Sequence, residues 1–157
     1  MSDNVYLGNP NLKKANTPIE FTEDQVIEFL KCKEDPVYFA NNYIKIVSLD
    51  EGLTQFHPYH FQEKLINRFH ENRFNICKMP RQTGKSTTVV SYLLHYAVFN
   101  DSVNIGILAN KAATARELLG RLQTAYENLP KWMQQGIIAW NKGSMELENG
   151  SKILAAS

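Results

Sequence analysis

Cysteine is scarce in this sequence. Cys32 and Cys77 are the two cysteines among 157 residues, and they lie far apart. Without a Cys-x-x-Cys spacing, neither a disulfide framework nor a zinc ribbon is indicated, and a reducing, cytosol-like compartment fits best. An excess of one charge is also missing, since 17 basic residues stand against 16 acidic ones, for a net charge of +1. A strongly basic nucleic-acid coat or a polybasic membrane binder is therefore not indicated, and any nucleic-acid contact must be local.

Long apolar runs are also lacking. The longest one, residues 92–99, is interrupted by His95 and falls far short of the roughly 20 residues that span a bilayer. Residues 1–16 are polar, contain Pro10 and lack the apolar centre of a secretory signal. With 43% hydrophobic and 21% charged residues, the chain has the composition of a soluble globular protein of about one domain.

Residues 1–56 predict an N-terminal arm followed by helices. Residues 1–20 have no periodicity and are expected to form an extended arm on a neighbouring surface. Thr22 with Gln25 makes a capping-box pattern before an apolar stripe, which predicts a helix over about residues 23–33. Asp35 before Pro36 predicts the start of a second helix. Residues 44–49 are expected to be extended, with a turn at residues 50–52.

Residues 57–157 alternate between helical and strand-like patterns. Helices are predicted over residues 58–69 and 85–99, and strands over residues 74–79 and 103–109. Strand, helix and strand in this order predict a parallel pair. A further helix, capped by Asn110, is expected to end before Pro130.

The C-terminal part predicts short strands. Residues 137–140, 144–148 and 152–156 have strand patterns, and Asn149-Gly150 between the last two is the strongest local signal for a hairpin. No internal repeat or low-complexity segment is present.

The segment with the clearest chemistry is Met79-Pro80-Arg81-Gln82-Thr83-Gly84-Lys85-Ser86, between a predicted strand and a predicted helix. In the phosphate-loop pattern GxxxxGK[ST], loop N–H groups face the phosphates, the lysine reaches the β and γ oxygens and the hydroxyl ligates Mg²⁺. Gly84, Lys85 and Ser86 match the last three positions, while Met79 replaces the first glycine. Residues 82–87 are thus candidate phosphate contacts, so that Gln82, Thr83 and Thr87 join Gly84, Lys85 and Ser86 as candidate binding residues.

Local charge supports this interpretation. Residues 72–100 contain no acidic residue, whereas Arg73, Lys78, Arg81 and Lys85 are basic, which suits a polyphosphate. The alternative is a chance Gly-Lys-Ser in a strand-to-helix turn, where glycine and serine are common. Arg81 within the loop either reaches the γ-phosphate in cis or faces solvent. Gln62, about twenty residues upstream, could read an adenine edge.

Three segments together resemble the ATPase domain of large terminase subunits from tailed bacteriophages, closest to the contractile-tail kind. They are the run Arg81 to Ser86, the upstream His57-Pro58-Tyr59-His60-Phe61-Gln62, and Gly106-Ile107-Leu108-Ala109-Asn110. The similarity extends from Leu7-Gly8-Asn9-Pro10-Asn11-Leu12-Lys13 through Trp140-Asn141-Lys142-Gly143-Ser144 to Asn149-Gly150. It covers nearly the whole chain.

The resemblance implies an α/β fold, a three-layer P-loop ATPase core of the ASCE kind with a parallel sheet. It also implies a motor that uses ATP and Mg²⁺ to drive double-stranded viral DNA into a procapsid. The implied partners are the portal protein, the small terminase subunit and further copies in a ring, all in the host cytoplasm without a membrane. In this family the loop without its first glycine is usual. By resemblance, Arg81 is the cis arginine, Lys85 the phosphate-binding lysine, Ser86 the Mg²⁺ ligand and Gln62 the adenine sensor.

One element of the ATPase chemistry has no candidate. Hydrolysis in this class of fold needs an apolar strand that ends in Asp-Glu, for Mg²⁺ and for activation of the attacking water. No acidic residue after the loop follows such a strand. We therefore expect a fragment, cut before these carboxylates and before the nuclease domain typical of the family, with an open apolar edge and poor stability alone.

Two other interpretations stay open. A helicase-like or restriction-type DNA translocase shares an upstream glutamine and a Gly-Lys-Ser loop. A nucleotide-binding or scaffold module without hydrolysis would lack Asp-Glu by nature.

Overall fold

The computed structural model describes residues 4–157. Helices and strands are interspersed along this range, mostly in pairs, as in a mixed α/β protein. The strands and helices, in chain order, are β1 Val5–Tyr6, β2 Asn9–Lys13, α1 Glu23–Glu34, α2 Pro36–Tyr43, β3 Lys45–Ser48, β4 Gly52–Gln55, α3 His60–Glu71, α4 Lys85–Phe99, β5 Asn104–Leu108, α5 Ala112–Glu127, β6 Ile137–Trp140, β7 Ser144–Leu147 and β8 Lys152–Ala156.

The two N-terminal helices begin at the predicted caps. The Thr22 hydroxyl accepts from the Gln25 N–H at 3.2 Å, and the Gln25 amide oxygen accepts from the Thr22 N–H at 3.1 Å. At α2, one Asp35 carboxylate oxygen accepts from the N–H groups of Val37 and Tyr38, both at 3.0 Å. These bonds satisfy N–H groups that a helix leaves without partners, so both helix starts are set locally.

Aromatic side chains join α1 and α2 to α4. Phe99 of α4 lies 5.0 Å from Phe29 and 5.3 Å from Phe39 between ring centroids, in edge-to-face geometry. His95, one turn earlier, lies 5.4 Å from Phe39. Burial of each large apolar side chain contributes about 1.5–3 kcal/mol, so this cluster holds the N-terminal helices on the rest of the chain.

The main sheet has four strands in the order β5-β8-β7-β6. β5 and β8 are parallel, with Ile105 opposite Ile153, whereas β8–β7 and β7–β6 are antiparallel. A parallel pair is present, as expected, but it joins β5 to β8 and not residues 74–79 to residues 103–109, and the sheet as a whole is mixed. The predicted hairpin at Asn149-Gly150 is confirmed, since it joins β7 to β8, with Gly150 at φ +83°.

The sheet is covered on one face. Ile105, Ile107 and Ile153 are buried on the side that packs against α5, whose Leu119 and Leu122 are fully buried. The opposite face is open, because Leu108 is 76% exposed and Leu154 is 57% exposed. In the described residues this gives two layers here, where the resemblance implies three.

Two local predictions are wrong. Residues 74–79 form no strand, and Phe74 and Ile76 are exposed. A strand forms only where its backbone makes hydrogen bonds to a neighbouring strand, and an apolar run does not supply that neighbour. The expected neighbour of residues 74–79 was β5, which pairs with β8 instead. Asn110 is not the cap of α5, because the helix starts one residue later, with Lys111 at the N-cap and its carbonyl accepting from Thr114 and Ala115.

The N-terminal arm, in which β1 and β2 pair with each other, lies on the segment between α5 and β6. Gln134 of this segment is buried: its side-chain oxygen accepts from the Lys13 N–H at 3.0 Å and its amide donates to the Asn11 carbonyl at 2.9 Å. Residues 1–3 of the predicted arm lie outside the described residues. Within residues 4–157, no helix combines the length and apolar character needed to cross a membrane.

Candidate functional site

The loop before α4 is curled. Gln82 has φ +60° and Gly84 has φ +73°, so two backbone positions of the loop adopt the left-handed conformation. Glycine enters this region without a steric penalty, whereas Gln82 does so at a cost of about 1 kcal/mol. Gly84 is the N-cap of α4 and Lys85 its first residue. The sequence pattern thus places the loop at the positive end of a helix dipole.

The backbone N–H groups of residues 81–87 are available. Within residues 4–157 no protein acceptor takes a hydrogen bond from any of them. A helix always leaves its first N–H groups without intrahelical partners, and loop residues in left-handed conformations can direct further N–H groups to one anion. Curled backbone with available N–H groups at a helix start is the arrangement that binds anions.

Lys85 reaches back across the loop. Its ammonium donates to the Met79 carbonyl at 3.1 Å, which holds the charge inside the curl. Lys85 and Ser86 are half-buried, and Arg81 and Gln82 are exposed. The positive charge at the loop is therefore contributed by one enclosed lysine and one solvent-facing arginine.

The hydroxyl groups divide into two kinds. The Thr83 hydroxyl donates to the Pro80 carbonyl at 3.0 Å, and the buried Thr88 hydroxyl donates to the Gly84 carbonyl at 2.8 Å. Both stabilise the loop from within. The hydroxyls of Ser86 and Thr87 make no hydrogen bond to the described residues, so Ser86 has the lone pairs that a cation ligand needs.

Gln62 contacts the loop from α3. It is 3% exposed, its amide oxygen accepts from the Tyr59 N–H at 2.8 Å, and its amide nitrogen lies 3.4 Å from the Gly84 carbonyl oxygen. The structure therefore brings Gln62 together with residues 81–87. Tyr59 and Phe61, in contrast, stack on each other at 6.0 Å and are exposed.

An apolar cavity of about 270 Å³ lies beneath the loop. Lys85 and Ser86 contribute to its wall, together with side chains of α3, α4, β5 and α5. Cys77, in the segment that sequence patterns had placed in a strand, lines it as well. The lining residues are Leu65, Cys77, Lys85, Ser86, Val89, Val90, Leu93, Ile107 and Leu118.

Two residues contribute to the loop although neither was a predicted site residue. The Met79 carbonyl is the acceptor for Lys85, and Thr88 ties the Gly84 carbonyl to the first turn of α4. Met79 occupies the first position of the loop pattern, so the sequence already placed its backbone in the loop. Thr88 had a weaker signal, because a threonine inside a helix commonly bonds to the carbonyl four residues earlier.

The geometry defines a mixed α/β protein with a curled loop at a helix start. Residues 76–157, more than half of the chain, match the family described as terminase large subunit, T4likevirus-type, N-terminal. The chain belongs to this family of large terminase subunits, as the resemblance indicated. Its role is accordingly in the packaging of phage DNA, with DNA and the packaging machinery as partners. The matched residues include the loop and the four-stranded sheet, and Gln62 lies before them.

Proposed function

We propose that residues 81–87 bind the triphosphate tail of ATP and that the chain is the nucleotide-binding part of a DNA-packaging motor. The observation that carries the proposal is the curled loop, whose N–H groups have no protein acceptor within residues 4–157. Such N–H groups at the start of a 15-residue helix favour a polyphosphate, because each can donate to a charged oxygen and the helix dipole adds to the attraction.

The side chains fit the same ligand. Lys85 would exchange the Met79 carbonyl for phosphate oxygens, which are stronger acceptors because they are charged. Ser86 would hold Mg²⁺, the cation that neutralises adjacent phosphates. Gln82, Thr83, Gly84 and Thr87 would contribute mainly N–H groups, and the exposed Arg81 would add charge at the γ-phosphate.

The finer fold is part of the proposal. In a P-loop NTPase core of the ASCE kind, with three layers, helices would cover the open face of the sheet. Residues 74–79 would pair with further strands. The adenine base, the portal protein, the small terminase subunit, the ring of copies on the procapsid and the host cytoplasm come from the resemblance. For these 157 residues the proposed activity is binding, since their sequence holds no strand ending in Asp-Glu.

Isothermal titration with ATP and MgCl₂ tests the proposal. The wild-type chain should bind one ATP, and Lys85→Ala should weaken binding by roughly 100-fold, because it removes a charge-assisted contact to phosphate worth about 1.5–3 kcal/mol. Lys78→Ala is the matched control, since it removes the same charge from an exposed position outside the loop. This control should change the affinity by less than about twofold.

Two outcomes would contradict the proposal. Wild-type protein that is folded by circular dichroism and does not bind ATP would remove it. Equal losses in Lys85→Ala and Lys78→Ala would show that binding follows net charge and not the loop. Release of phosphate measured in parallel would separate binding from turnover.

A further inference from the structure

The C-terminal end of α4 is held by the β7–β8 turn, residues 148–151. The Asn149 side-chain amide donates to the Ala97 carbonyl at 2.9 Å and to the Asn100 carbonyl at 3.1 Å. The Ser151 hydroxyl donates to the same Asn100 carbonyl at 2.8 Å. A helix leaves its last carbonyl groups without intrahelical partners. Because Asn149 lies 52 residues beyond Ala97, a distant segment of the chain completes this end of α4.

The β7–β8 turn is itself fixed around Asn149. The Asn149 side-chain oxygen accepts from the Ser151 N–H at 3.0 Å, and its backbone carbonyl accepts from the Ser102 N–H at 2.9 Å. Gly150 packs closely on the same loop, because a Cβ added there would lie 2.9 Å from the Ser102 hydroxyl oxygen. Asn149 therefore joins three segments: the end of α4, the loop that follows α4, and the β7–β8 turn.

The other end of α4 carries the curled loop. Gly84 is the N-cap and Lys85 the first residue of the helix, so part of the proposed triphosphate site belongs to its first turn. At 1.5 Å per residue, the 15 residues of α4 span about 22 Å between the loop and the turn. The buried side chains along α4 are mostly apolar, and apolar packing is not directional. Directed hydrogen bonds from Asn149 therefore help to fix the position of the helix along its axis.

We propose that Asn149 is a positioning residue for the loop, acting through α4, and that polyphosphate binding at residues 81–87 is coupled to the order of the β7–β8 turn. This inference rests on the proposed nucleotide binding. Coupling between two sites is reciprocal. Since phosphate binding stabilises the anchored position of α4, loss of the anchor must weaken phosphate binding.

Hydrogen exchange of the wild-type chain, followed by mass spectrometry, measures the coupling without any substitution. ATP with MgCl₂ should slow exchange at residues 81–87, and also at the N–H groups of Ser102 and Ser151, which bond to Asn149. We expect at least about fivefold slowing at these two N–H groups, the lower end of typical coupling between sites. Residues 126–129, at the end of α5, are the internal control and should change little. Protection confined to residues 81–87, or equal protection at residues 126–129, would overturn the coupling.

Asn149→Asp removes the anchor with little change to the turn. Aspartate keeps an oxygen that accepts from Ser151, and Asp-Gly favours a hairpin as Asn-Gly does, but the N–H bonds donated to Ala97 and Asn100 are lost. The affinity for ATP in isothermal titration should fall by about fivefold or more. The new charge itself acts little on ATP, since about 22 Å of helix exceeds the Debye length of about 8 Å at physiological salt.

Asn128→Asp is the matched control. The Asn128 amide donates to the Thr124 carbonyl at 2.8 Å, so the same chemical group caps the end of its own helix, α5. This substitution adds the same charge at the end of a helix that does not carry the loop, and the affinity for ATP should stay within about twofold of the wild type. In Asn149→Asp, saturating ATP should slow exchange at residues 81–87 and no longer at Ser102, which a merely structural role of Asn149 would not produce.

The possible results separate this inference from the function on which it rests. A folded wild type that binds no ATP overturns both. ATP binding by the wild type, with unchanged affinity in folded Asn149→Asp or equal losses in Asn149→Asp and Asn128→Asp, overturns the positioning role alone. A loss confined to Asn149→Asp supports it. Should Asn149→Asp fail to fold, the exchange experiment on the wild type decides by itself.

Discussion

Lys13 and Glu148 form an ion pair across almost the whole length of the chain, with 3.2 Å between the ammonium and a carboxylate oxygen. Glu148 also accepts from the backbone N–H groups of Asn16 at 2.7 Å and Gly136 at 3.0 Å. One carboxylate thereby joins the N-terminal arm to the hairpin that completes the sheet. The side chains of Lys13 and Glu148 are 10% and 24% exposed, so water screens this pair only partly.

Glu148→Gln should lower the free energy of unfolding by about 2 kcal/mol at pH 7, because charge-assisted bonds to backbone N–H groups are lost. Urea denaturation measures this value. The control is Glu146→Gln, which removes the more exposed pair with Lys152 at 3.5 Å and should cost less than about 1 kcal/mol. Equal effects of the two substitutions would contradict a structural role for Glu148.

The same carboxylate makes stability depend on pH. Burial raises the pKa of Glu148, but hydrogen bonds from Asn16, Gly136 and Lys13 outweigh it and hold the pKa below its ordinary value of 4.5. The contribution is therefore fully present above pH 4.5 and is lost as the pH falls through the lowered value. Urea melts of Glu148→Gln should accordingly lose less stability than the wild type on acidification below pH 4.5.

His95 should produce a second acid sensitivity at higher pH. Burial is the main cause that lowers its pKa to about 4, against the hydrogen bond to the Cys32 carbonyl, and its Nδ1 has no partner within the described residues. The unfolded state takes up a proton near pH 6.5 and the folded state near pH 4, so stability falls between these values as the pH is lowered.

The measurement is the free energy of unfolding of wild type and His95→Gln at pH 7 and pH 4.5. Glutamine keeps a donor for Cys32 and does not titrate, so the wild type should lose about 2–3 kcal/mol more than the variant. His60→Gln is the control for loss of an imidazole, because His60 is exposed, and should change the free energy of unfolding at pH 7 by less than about 0.5 kcal/mol. A constant difference between wild type and His95→Gln would show that His95 is not neutral in the folded state.

Gly136 should tolerate no side chain. A Cβ there would lie 2.5 Å from the Ala15 Cα and 2.7 Å from the Lys14 carbonyl oxygen, which are backbone atoms of the arm. Gly136→Ala should cost about 2–3 kcal/mol in thermal or urea unfolding, because the arm must shift. Gly120→Ala is the opposite case, because a Cβ at this position of α5 would meet no atom within 4 Å. This substitution should raise the free energy of unfolding by about 0.5–1 kcal/mol. Two destabilising substitutions of similar size would contradict this placement of the arm.

The two thiols should differ in reactivity. Cys77 is exposed, whereas Cys32 is buried, and burial followed by the nearby Glu28 raises the pKa of Cys32 to about 12. Ellman's reagent at pH 8 should modify one thiol per folded chain and two after denaturation. Cys77→Ser should leave no thiol that reacts in the folded state, and rapid modification of this variant would show that the helices around Cys32 open readily.

The local elements were well predicted from the sequence. The bounds of α4, the capping box at Thr22, the Asp35 cap and the Asn149-Gly150 hairpin all match, because caps and turns depend on residues within four positions of one another. The start of α4 at Gly84 and Lys85 was predicted in the same local way, since these residues occupy the end of the phosphate-loop pattern, where a helix begins. The binding of phosphate and Mg²⁺ at this loop and the contact of Arg81 with the γ-phosphate stay predictions.

What depends on distant residues was not predictable. Residues 74–79 have a strand pattern and form no strand, while β8 pairs with both β5 and β7, because pairing is decided by which backbone edges meet in space. The chain sequence alone determined where helices start, where the hairpin turns and which loop can curl. Only the tertiary structure decided that Glu148 meets Lys13 and that Gln62 meets Gly84, since hydrogen bonds between remote residues leave no periodic mark on the sequence.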